Sequence, residues 1–130
     1  MNWKLILCCS LFALGMSVAT VYVIPSKIEW AFWLPIFIIN AYLIAKNASG
    51  KYFFHGFLVS LVNCIWITAA HVLLFSSYIA NHAEEAAMTA TSPLHDHPRV
   101  MMLIVGPIIG IVSGLVQGLF ALIASKLIKK

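Results

Sequence analysis

The chain has 130 residues, of which 62% are hydrophobic and only 9% charged. Water-soluble domains carry about 25% charged residues, so the composition excludes an ordinary soluble domain and predicts an all-α integral membrane protein whose first partner is the lipid bilayer. The formal net charge of +4 comes from scattered lysines rather than a basic patch, which excludes a nucleic-acid partner.

The first apolar run covers about 3–24. Met1-Asn2-Trp3-Lys4 ahead of Leu5 resembles the start of a signal peptide, and Ser17-Val18-Ala19 imitates a cleavage site. The run nevertheless continues through Val21, Tyr22 and Val23 to Ile24, long enough to span a bilayer, so a first membrane helix is expected. A second run covers about 28–45 with Pro35 inside it, followed by the turn Asn47-Ala48-Ser49-Gly50. The third covers about 52–80. It exceeds the roughly 20 residues that the hydrocarbon core requires, so it either tilts or projects into water. An outer loop of about 81–99 leads to the last run, about 100–128, with Pro107 in its first turns. The expected fold is a single-domain four-helix transmembrane bundle over residues 1–130. Cys8, Cys9 and Cys64 all lie inside apolar runs, so they are small packing residues rather than a disulfide framework.

Four spans place both termini on one side, together with the turn after the second span. Lys4, Lys46, Lys51, Lys126, Lys129 and Lys130 lie on that side, against Lys27 and Arg99 on the other. All four acidic residues, Glu29, Glu84, Glu85 and Asp96, also lie on the other side, leaving it with a net charge of −2. The positive-inside rule then puts both termini in the cytoplasm of a bacterial-type inner membrane or a plasma membrane. Aromatic residues cluster at the span ends, with Trp30, Phe32 and Trp33 outside and Tyr52, Phe53 and Phe54 inside, as headgroup belts do.

In the last run, Gly106, Gly110, Gly114 and Gly118 recur every fourth residue and form a ridge on one helix face. Small residues at this spacing let membrane helices approach closely. Ser60, Cys64 and Thr68 form a matching small-residue column in the third run. The ridge can meet this column within one subunit or its own copy across a two-fold axis. One internal contact and one homo-oligomeric contact are expected.

No Asp or Glu lies in the middle of a span, which counts against a carrier driven through an embedded carboxylate. Asn40, Asn63 and Gln117 fall near mid-depth, with Ser113 one turn from Gln117. Amides in hydrocarbon need partners, so these residues either bond between helices or line a cavity for a small-molecule or ion permeant.

The outer side concentrates imidazole and carboxylate. If the third helix continues past Ala80, His71, Tyr78, His82 and Glu85 share one face, and His95 or His97 can complete a shell from across the loop. This donor set suits a divalent transition metal, Zn or Cu, at the outer face, or a sensor of external pH. His55, beside Phe53 and Phe54, is expected at the inner interface. The leading functional expectation is a non-catalytic, oligomeric transporter, channel-like protein or membrane assembly subunit. The alternative is an outer-face metal-dependent enzyme or a metal or pH sensor.

Overall fold

The computed structural model describes residues 1–128, with the side chain of Ser26 left aside; Lys129 and Lys130, counted above among the inner basic residues, lie outside the described residues. The described chain is helical: α1 (Trp3–Tyr22), α2 (Ser26–Asn47), α3 (Tyr52–Leu73), α4 (Phe75–Asn81), α5 (Ala83–Thr91) and α6 (Pro98–Leu127). Helices α1, α2, α3 and α6 are long and apolar enough to cross a membrane. Their outward faces carry large aliphatic side chains, such as Leu11 at 59% and Ile108 at 57% exposed. This is the surface a lipid-facing bundle presents, because lipid tails are as apolar as leucine.

Chain direction follows from the contacts. Asn2 meets His55, Ser10 meets Trp66 and Thr20 meets His71, so α1 and α3 run parallel. Moving along α6 from Gly106 to Gly118, the neighbours on α3 step back from Thr68 to Phe53, so these helices are antiparallel. Phe37 of α2 meets Gln117 and Phe120 of α6, and further along Ile44 is buried in one cluster with Ala121, so α2 runs with α6. Residue 1, the turn after α2 and the end of α6 therefore share one end of the bundle.

At that terminal end all four long helices converge on one small core. Ile6 and Cys9 of α1, Ile44 of α2, Val59 of α3 and Ala121 of α6 are buried together, with Ala48 just after α2. The α1 stripe of Ile6, Cys9, Ala13, Met16 and Thr20, with Ser10 and Ser17 beside it, is buried at the three-and-four spacing of one helix face. The serines and threonine return their hydroxyl protons to carbonyls three residues back, Leu7, Leu14 and Ser17. They can therefore face a neighbouring helix without needing a partner from it.

The turn after α2 is closed by Gly50 at φ 153° and Lys51 at φ 52°. The Lys51 carbonyl accepts both the backbone N–H of His55 at 3.0 Å and a ring N–H at 2.9 Å. The other ring nitrogen, Nε2, accepts the backbone N–H of Asn2 at 3.1 Å. His55 is 3% exposed and ties the start of α1 to the start of α3.

The third apolar run is not one helix. It breaks at Leu74, restarts as α4 and breaks again at His82. The expected loop of 81–99 contains the two-turn helix α5, and α6 starts at Pro98, where proline suits the first helical position.

Candidate functional site

The close seam of the bundle lies between α3 and α6. A Cβ on Gly110 would sit 2.7 Å from Cys64 Cβ, one on Gly114 2.7 Å from the Phe57 ring and one on Gly118 2.8 Å from the Phe53 ring. Gly106 meets the Thr68 side chain. The ridge thus faces α3 of the same chain. Cys64 and Thr68 receive its upper half as the small-residue column suggests, but Phe57 and Phe53 rather than Ser60 receive its lower half. The fit extends to backbone on backbone at Gly56, whose Cβ would lie 2.6 Å from the Gln117 carbonyl oxygen.

This seam draws α6 onto α3, while α2 packs on α6 and touches α3 much less. The result is a cleft of about 750 Å³ between α2 and α3, with α6 along its base. It begins near Phe37, Ser60 and Phe120 and opens towards the end away from the termini, where α5 contributes Glu85, Met88 and Thr89.

The α2 wall is an aromatic ladder. Trp33 and Phe37 meet edge to face at a 6.2 Å centroid separation, and Phe37 meets Phe120 of α6 in the same way at 6.1 Å. Such pairs contribute about 0.5–1.5 kcal/mol beyond their buried area. Above the ladder the Trp33 indole N–H donates to Glu29 Oε1 at 2.9 Å, one helical turn away. That bond holds a half-buried carboxylate at the cleft mouth.

The α3 wall is polar at intervals. Ser60, Asn63, Cys64, Thr68 and His71 all line the cleft, at spacings that keep them on one helix face. Cys64 donates its S–H to the Gly106 carbonyl at 2.8 Å. Ser60 Oγ and both amide atoms of Asn63 have no hydrogen-bond partner among the described residues, although these side chains are 2% and 4% exposed. Leaving a buried polar atom unpaired costs about 1–3 kcal/mol. Two such residues lie on the lining of the cleft.

The other mid-depth residues fall elsewhere. Ser113 lines the cleft from α6, whereas Asn40 and Gln117, both fully buried, do not. Gln117 Nε2 donates to the Phe37 carbonyl at 3.1 Å. Its Oε1 and both amide atoms of Asn40 have no partner among the described residues. The three amides thus make no bond with one another.

The histidines and acids assemble differently from the expected metal shell. His71, Tyr78 and His82 do share a face, stacked at centroid separations of 4.3 and 4.2 Å across the break at Leu74. Three of the four ring nitrogens are engaged: His71 Nε2 with Thr20 Oγ1 at 3.0 Å, His82 Nδ1 with the Tyr78 carbonyl at 2.7 Å and His82 Nε2 with the Ile24 carbonyl at 3.2 Å. Glu85 belongs to a separate helix and faces the cleft. His95 and His97 are exposed, and His95 pairs with Asp96 at 3.3 Å. Among the described residues no three His, Cys, Asp or Glu side chains come together in a group that could hold a metal. The Zn or Cu shell drawn from His71, His82, Glu85, His95 and His97 is not assembled, because the breaks at Leu74 and His82 turn His82 towards α1.

The cleft also contains residues that sequence reasoning did not select: Glu29, Trp33, Phe37 and Phe120. The signal was present, since Glu29, Trp33 and Phe37 recur every fourth residue on one face of α2, but aromatic residues at a span end also suit a headgroup belt. Comparisons with protein-family models, with curated proteins and with solved structures gave no match to this chain.

Proposed function

We propose that this chain is a non-catalytic membrane protein that binds and carries a small amphipathic molecule in the cleft between α2 and α3. The observation that carries this reading is the pairing of an aromatic, apolar cleft with the unpartnered, buried Ser60 and Asn63 on its lining. Ligand sites are mostly apolar clefts of about 300–1,000 Å³ with a few convergent polar groups. The terminal half of the bundle is closed by the Ile6–Ile44–Val59 core, so the cleft is reached from one end or from the side. The charge distribution supports a cytoplasmic location for both termini, with the cleft mouth on the outer face. With its glycines already covered by α3, α6 presents mainly aliphatic side chains outward, and the carrier is read as a single chain rather than an assembly through that ridge.

The test is saturable photolabelling. Protein in lipid nanodiscs is exposed to a diazirine-bearing amphiphile, with and without excess unlabelled compound. Competed label is expected on peptides containing Trp33, Asn63 and Phe120, and a Ser113→Phe variant that fills the cleft is expected to lose it. Label that is not competed, and that is spread over the lipid-facing Leu11, Ile39 and Leu115, overturns the reading.

A further inference from the structure

The charges around the cleft have one sign. Glu29 and Glu85 line it, and among the described residues its lining contains no Lys or Arg. The two cations at the same end are held elsewhere. Lys27 Nζ pairs with Glu84 at 2.9 Å on the exposed surface. Arg99 donates to the Val72 carbonyl at 3.1 Å, and its guanidinium lies over the Phe75 ring at 5.1 Å. Neither balances the two half-buried carboxylates at the mouth. Directly beneath Glu29 stand the ring faces and edges of Trp33 and Phe37. Carboxylate and aromatic face are the two groups that attract an organic cation, and the attraction grows as water is excluded.

From this convergence we infer that the occupant of the cleft is an organic cation: one positive centre, an ammonium or its equivalent, on a bulky aromatic or branched apolar body. The inference rests on the reading of the cleft as a binding site and specifies what enters it. The positive centre lies between Glu29 and Glu85 and against Trp33. The apolar body packs along Phe37, Ile109 and Phe120. A polar substituent at the far end of the body meets Ser60 and Asn63, whose buried atoms have no partner among the described residues. An anion of the same shape meets two uncompensated negative charges and is rejected, and a neutral analogue loses the contribution of the mouth.

The experiment compares matched probes for their ability to displace the photolabel from protein in zwitterionic nanodiscs, with protein-free nanodiscs subtracted. Tetraphenylphosphonium and tetraphenylborate have nearly the same size and shape and opposite charge; triphenylphosphine oxide supplies a neutral member. The cation is expected to compete best and the anion not at all. Glu29→Gln and Glu85→Gln are each expected to weaken competition by tetraphenylphosphonium roughly five- to tenfold, as loss of one partly screened charge contact implies, and to leave the neutral probe unchanged. Glu29→Gln keeps an oxygen that accepts the Trp33 N–H, so the wall stays in place; thermal unfolding of both variants is measured alongside. Equal competition by cation, anion and neutral probe overturns the cation inference and leaves the binding site standing. Cation competition that is unchanged in both folded variants also overturns it. Absence of any saturable label defeats the underlying reading itself.

Discussion

Gly56 of α3 and Gln117 of α6 meet backbone to backbone: a Cβ on Gly56 would lie 2.6 Å from the Gln117 carbonyl oxygen and 2.9 Å from the Gly118 Cα. Backbone atoms cannot move aside as the end of a flexible side chain can. Gly56→Ala is therefore expected to destabilise the bundle by about 1–3 kcal/mol, the usual cost of overpacking. Gly15→Ala is the control, because a Cβ there meets nothing within 4 Å; it should leave stability unchanged or raised. Thermal unfolding in one detergent or nanodisc system compares the two, and an equal Tm for Gly56→Ala and the unmodified chain would contradict the seam.

Gly110→Leu should prevent folding of the chain itself. The added side chain must enter space held by Cys64 Cβ and Sγ, 2.7 and 2.9 Å from the position of its own Cβ. If the ridge instead served only as a contact between copies, the variant would fold and merely change its oligomeric state. Circular dichroism and protease resistance, read together with size-exclusion chromatography, separate the two outcomes.

His55 closes the terminal end through two oriented hydrogen bonds, one to the Lys51 carbonyl and one from the Asn2 N–H. Replacing it with alanine leaves the Asn2 amide unpaired and opens a void beside α1. A loss of about 1–3 kcal/mol is expected, in line with orphaning a buried polar group. Hydrogen exchange localises the effect: the amides of residues 2–6 should exchange faster, while those of α6 should not.

Asn40→Leu should leave stability unchanged or increase it. Both amide atoms of Asn40 are buried without a partner among the described residues, and the residue does not line the cleft. Removing an unpaired polar group for an apolar one of similar size removes its desolvation penalty. A fall in Tm of several degrees would show that the amide has a partner in the membrane and would point to a second polar site.

Orientation has a direct readout. With both termini cytoplasmic, a Ser92→Cys variant should react with an impermeant maleimide added outside intact cells, and Gly50→Cys should not. The reverse pattern would invert the topology.

What the sequence determined by itself was the helical class of the molecule and the number of its helices long and apolar enough to cross a membrane, because bilayer thickness converts directly into runs of apolar residues. It also located the glycine ridge and the mid-depth amides, because helical periodicity assigns residues to faces without knowledge of the fold. It did not determine which surface each face meets. Whether Gly114 touches Ser60 or Phe57 depends on the register of α3 against α6, which is decided by backbone contacts such as Gly56 against Gln117. The break at Leu74 was illegible, since residues 52–80 read as continuously apolar and contain no proline. That break carries His82 onto the Ile24 carbonyl and disperses the expected metal shell. The cleft is likewise a product of tertiary structure alone: it exists because the close α3–α6 seam and the α2–α6 packing leave α2 and α3 apart. Only that separation turns Glu29, Trp33, Asn63 and Phe120, distant in sequence and individually unremarkable, into the lining of one site.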